Sequence, residues 1–124
     1  MSINAETRFY LTKGMMTMEQ AKKLNDDREF LDLSLLIGNT TDDQLYRQIK
    51  VEMGIFDKCL EITEVRGPDQ NNKHIKLLIL MLFDRINNMY SYMFSLFPIN
   101  AERANEYIQF CTDHLPIIFP HKYR

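Results

Sequence analysis

Glycine and proline are scarce in this chain, four of each in 124 residues. Turns draw heavily on those two residue types, so little material is left for a many-turned β-sandwich. Basic excess is missing as well: the net charge is −2 and the pI about 5.9. Proteins that live on nucleic acid ordinarily carry a basic surplus or a basic face. The balance therefore disfavours nucleic acid, and anionic membrane surfaces for the same reason. Cysteine is limited to Cys59 and Cys111, far apart and in no CxxC or Cys/His cluster. The opening "MSINAETRFYLTKG" carries no apolar segment of a secretory signal. The expectation is a reduced, cytoplasmic protein in which both thiols are buried as small hydrophobes.

Motifs that carry chemistry are missing too. His74, His114 and His121 form no HxxxH or HExxH pair, and no acid stands three residues before any of them. That removes the local patterns of zinc and di-iron sites. There is no glycine-rich phosphate loop and no GxSxG, and Cys59 has no histidine near it in sequence. No catalytic residue, cofactor or metal ligand is assigned, and an enzyme would need a site assembled only in three dimensions.

What is present reads as helix throughout. The spacing predicts a short helix over 5–13, stopped by Gly14, then a start at Thr17, three residues before Gln20, in a capping-box arrangement. "REFLDLSLLIG" places Phe30, Leu33 and Ile37 on one face and ends at Gly38. Thr41 and Gln44 repeat the start signal, and a helix runs from there to Arg66, ahead of "GP" at 67–68. Leu45, Ile49, Phe56 and Leu60 share one stripe of it, Val51, Ile55 and Ile62 a second, and Gly54 falls on the outer face. The last helix starts at the N-cap Asn100, and Pro116 and Pro120 hold residues 116–124 as an extended tail. The fold expected is a single all-α domain over 1–124, a compact bundle of five or six helices around a long apolar helix at about 73–97.

That helix has the length of a membrane span, but Asp84 and Arg85 lie near its middle. Each costs about 2.5–3.5 kcal/mol there, against about 0.3–0.6 kcal/mol gained per Leu, Ile or Phe. With eleven such residues the terms nearly cancel, before Asn87, Asn88, Ser91 and Ser95 add their cost. A packed helix fits better. Ile75, Ile79, Leu82, Ile86, Met89, Met93 and Leu96 alternate spacings of four and three, an unbroken a/d seam. Leu77, Leu80 and Met81 make its first half apolar all round, which predicts burial on every side.

Beside the seam runs a second row, Leu80, Phe83, Tyr90, Phe94 and Phe97. Its plain reading is core under the N-terminal helices; its sharper reading is a partner or dimer interface, since aromatic and Met side chains anchor such surfaces. Glu52 and Arg85 each lie on an apolar face. If their helices are antiparallel neighbours, they meet in a partly buried ion pair that sets helix register, or else they wait in a pocket for a ligand.

"TMEQAKKLNDDREFLDLSLLIG" has the outline of a helix-turn-helix, yet its second helix carries Asp26, Asp27, Glu29 and Asp32 against a lone Arg28. Acids in the major groove repel phosphate. The function expected is a non-catalytic, regulatory protein–protein interaction module, with a possible homodimer. The alternatives are a helix-turn-helix regulator and a small enzyme.

Overall fold

In a computed structural model of the protein, residues 4–66 and 73–123 are described. They form α1 (Ala5–Thr12), α2 (Met18–Leu36), α3 (Asp42–Arg66), α4 (Lys73–Leu96), α5 (Ala101–Ile118) and the single turn α6 (Pro120–Tyr123). No strand occurs among the described residues, and the class is all-α. The segment "GPDQNN" lies outside the described residues.

The boundaries follow local chemistry. Asn4 Oδ1 accepts from the Thr7 N–H at 2.8 Å, satisfying a free donor of the first turn. Both capping boxes close, Thr17 with Gln20 at 2.9 and 3.2 Å and Thr41 with Gln44 at 3.0 and 3.2 Å. Gly14 and Gly38 take φ of 69° and 71°. After each, the chain folds back in a Schellman pattern: Met15 N–H reaches the Tyr10 carbonyl at 2.9 Å, and Asn39 N–H the Ser34 carbonyl at 2.8 Å. A side chain would strain either glycine.

The central unit is the antiparallel hairpin of α3 and α4. Met53 Sδ accepts from the Tyr90 hydroxyl at 3.4 Å, while one turn further along α3 Phe56 faces Phe83. The seam predicted for α4 is buried from Ile75 to Met93, against Leu45, Ile49, Phe56 and Cys59 of α3. Each large apolar side chain so buried contributes about 1.5–3 kcal/mol. Two flanks of this hairpin are covered. α5 runs parallel to α3 on one flank, from Arg103 beside Asp43 to His114 beside Phe56. The α1–α2 pair covers the other, tied by Arg28 to Glu52 and by Lys58 to the Met15 carbonyl.

Several expectations need correction. α2 is continuous through Asn25-Asp26-Asp27, so the helix-turn-helix outline is not there. No glycine or proline interrupts it, Lys23 and Asp27 pair at 2.8 Å across one turn, and Arg28 is anchored inward. Phe30, Leu33 and Ile37 share one face as their spacing predicts, and that face points out, while α2 buries Ala21, Leu24 and Leu31. Leu77, Leu80 and Met81 of α4 are exposed, as is Leu96 at the end of its seam. The chain covers α4 on α3, α2 and α5 sides, and no described element crosses its remaining face.

The tail is not extended. α5 continues through Pro116 to Ile118, and α6 follows. Pro116 gives up one helical hydrogen bond, but continuing the helix packs Leu115 and Ile118 against the core. Ile117, Ile118 and Pro120 then border a cavity of about 290 Å³ with Leu60, Ile79 and Leu80.

Candidate functional site

Four helices send charged side chains to one point between the α1–α2 pair and the central hairpin. Glu52 of α3 is fully buried. Its Oε1 accepts from Arg28 Nε at 2.7 Å, Gln48 Nε2 at 3.1 Å and Arg85 Nε at 3.2 Å, and its Oε2 from Arg28 Nη2 at 2.7 Å. Arg28 of α2 also grips Glu6 of α1 with two bonds, at 2.8 and 3.0 Å. The Tyr10 hydroxyl donates to Glu6, and Arg85 Nη1 lies 3.8 Å from Asp32. Alongside, the Thr7 hydroxyl donates to Asn25 at 3.2 Å.

The electrostatics centre on Glu52, whose two oxygens are both hydrogen-bonded, while Arg85 Nη2 is buried without a hydrogen-bond partner. Burial by itself would raise the Glu52 pKa. Hydrogen bonds and charge from Arg28, the charge of Arg85 and the Gln48 amide outweigh it and hold the carboxyl below its ordinary 4.5. Burial likewise opposes the charged form of Arg28, yet the Glu52 and Glu6 carboxylates raise its pKa. Tyr10 is raised by burial and by Glu6. The same depth pushes the Cys59 thiol up to about 11, so it stays protonated at neutral pH.

Glu52 and Arg85, paired from their positions on apolar faces, do meet at 3.2 Å. Arg28 was missed, although it is the stronger partner. A signal was available: Ala21, Leu24, Arg28, Leu31 and Leu35 follow one another at spacings of three and four, which places Arg28 in the inward seam of α2.

The row assigned to a partner interface divides. Phe83 and Tyr90 are buried and Phe94 and Phe97 half-buried against the core, while Leu80 is exposed at the rim of the cavity under α6. What covers the aromatics is α5, not the N-terminal helices. Phe83 stacks on Phe110 at 5.4 Å, Tyr90 meets Tyr107 at 4.7 Å, and Phe56 meets Phe110 at 5.4 Å. The Tyr107 hydroxyl donates to Asn87 at 2.7 Å, and the Cys111 thiol approaches the same oxygen at 3.8 Å. His114 packs edge-on against Phe56 at 4.9 Å, and its Nδ1 lies 2.8 Å from the Phe110 carbonyl. This flank is core, so Phe83 and Tyr90 are closed to a partner.

Exposed apolar surface lies elsewhere, above all on the outer face of α2. Phe30, Leu33, Leu36 and Ile37 are 61, 56, 82 and 72% exposed. Their spacing in the sequence groups three of these four on one face, and the structure turns that face to solvent. Among the described residues, no three His, Cys, Asp or Glu side chains are grouped to hold a metal ion. No helix among them is long and apolar enough to cross a membrane.

No protein-family model matches the chain, and no curated protein or solved structure does so either.

Proposed function

We propose that this protein is a non-catalytic interaction protein, an adaptor, inhibitor or regulatory subunit, that binds another protein through the outer face of the C-terminal half of α2. One observation carries the reading. Four large apolar side chains stand together, each more than half exposed, on the solvent side of a helix whose inner face is already packed. Leaving them wet forgoes burial worth about 1.5–3 kcal/mol for each large side chain, and contiguous apolar surface of this kind marks interaction sites. The buried ionisable groups support the non-catalytic part: each carboxylate at the centre is matched by a guanidinium, and the buried thiol is held protonated.

The test compares the tagged protein with a Phe30→Ser/Leu33→Ser variant in affinity capture from its source's lysate, with and without nuclease. The reading expects a stoichiometric protein partner that survives nuclease and is lost from the variant, with the variant's melting temperature unchanged. Capture of nucleic acid, or a partner retained by the variant, overturns it. Sedimentation of the purified protein separates the self-associating form of this reading: a dimer dispersed by the same two substitutions places a second copy on the face.

A further inference from the structure

Resting on that reading, we infer that the occupant of the α2 face is an amphipathic helix of a partner protein carrying basic residues along one edge of its apolar stripe. The shape comes first. Phe30, Leu33 and Ile37 recur at three and four residues and span two helical turns, about 10 Å. A helix laid alongside answers such a stripe with its own i, i+3 and i+7 anchors. Along its α1-facing edge the stripe drops into an open groove of about 630 Å³, where Leu33 and Leu36 form the apolar wall.

Charge selects among occupants. That same groove is bordered by Asp26, Glu29 and Asp32. Asp26 and Glu29 enter no ion pair among the described residues, and Asp32 has only the 3.8 Å approach of Arg85. The one base among the groove's described residues, Arg28, is already committed to Glu6 and Glu52. On the opposite edge, Lys23 is matched by Asp27, and Arg47 stands beyond Phe30. The polarity is therefore lateral: acid along the α1 side, near balance along the α3 side. An anionic bilayer meets three carboxylates and is repelled. A second copy of this chain brings a second set of the same carboxylates to the contact. A segment with Lys or Arg on the matching edge gains at each of them, chiefly in association rate and selectivity.

The experiment titrates the full-length protein with two synthetic helical peptides that share one Leu stripe, flanked by Lys in the first and by Glu in the second, and follows backbone amide shifts. Binding of the Lys-flanked peptide, with shifts confined to α2 and its groove, is expected to be at least tenfold tighter. Asp26→Asn/Glu29→Gln/Asp32→Asn should erase most of that preference without lowering the melting temperature, and raised salt should erode it in the unmodified protein. Equal binding of both peptides at α2 overturns the inference and leaves the docking reading standing. Shifts elsewhere, or no binding of either peptide, overturn both. Shifts at α2 that change on simple dilution assign the face to a second copy and overturn the inference as well.

Discussion

The two flanks of the α3–α4 hairpin are closed by opposite chemistry. Under α5 the contact is aromatic: Phe56, Phe83 and Phe110 meet within 5.4–6.2 Å, and Tyr90, Phe94 and Tyr107 extend the row. Under α1 and α2 an ionic chain of Glu6, Arg28, Glu52 and Arg85 is set into the apolar contact of Phe9, Tyr10, Leu24 and Leu31. The hydrophobic burial those rings supply is non-directional and accepts neighbours of similar volume. A buried carboxylate accepts only partners that complete its hydrogen bonds, and it penalises any register that does not. The aromatic flank therefore supplies burial, whereas the ionic flank fixes where α1 and α2 sit.

Four expected outcomes test this contrast, the largest first. Arg28→Met removes the main partner of a fully buried carboxylate and should lower stability by about 3–5 kcal/mol in urea unfolding. Phe110→Leu keeps the aromatic flank apolar and should cost only about 1–1.5 kcal/mol by the same measurement. If the two losses are equal, the flanks do not differ in the way described. Converting the whole network together, Glu6→Gln, Arg28→Met, Glu52→Leu and Arg85→Met, should leave stability within about 1 kcal/mol of the natural chain, since no charge is stranded. Broadened amide spectra in that variant would locate the loss of register; sharp, unchanged spectra would show that packing alone aligns the helices. The smallest effect belongs to the exposed Lys23–Asp27 pair, where Lys23→Ala should cost about 0.3–0.5 kcal/mol and less in high salt.

Acid gives an independent view of the same flank. The Glu52 carboxyl titrates below 4.5 in the folded protein. Its contribution is thus fully present above the unfolded-state value and is lost as pH falls through the lower folded value. Acid unfolding followed by circular dichroism should begin below about pH 4.5 in the natural chain. The four-substitution variant should lack that component. An identical acid limb in both would assign the transition to other carboxylates.

Legibility in the sequence follows the range of the interaction. Helix ends were readable because caps act within three or four residues, as at Thr17, Thr41 and Asn100. The buried seam of α4 was readable because a helix of that length repeats its inward face often enough to define it. Glu52 and Arg85 were readable as charges out of place on apolar faces. The C-terminal half of α2 was not, because Leu31 and Leu35 on one side and Phe30, Leu33 and Ile37 on the other are equally apolar. Only the extension of the first set back through Arg28, Leu24 and Ala21 distinguishes them. Pro116 misled in the other direction, since a rule about one lost hydrogen bond was weighed without the apolar contacts of Leu115 and Ile118.

The sequence by itself determined that the chain is helical, where most helices begin, and which face of α4 is central, because capping, propensity and periodicity are local and are written in neighbouring residues. Only the tertiary structure decided which side of α2 faces water, that α5 rather than the N-terminal helices covers the aromatic row, and that Arg28 completes the site of Glu52. Each of these depends on which surfaces of distant segments compete for the same partner, and that competition is settled by shape and charge in three dimensions.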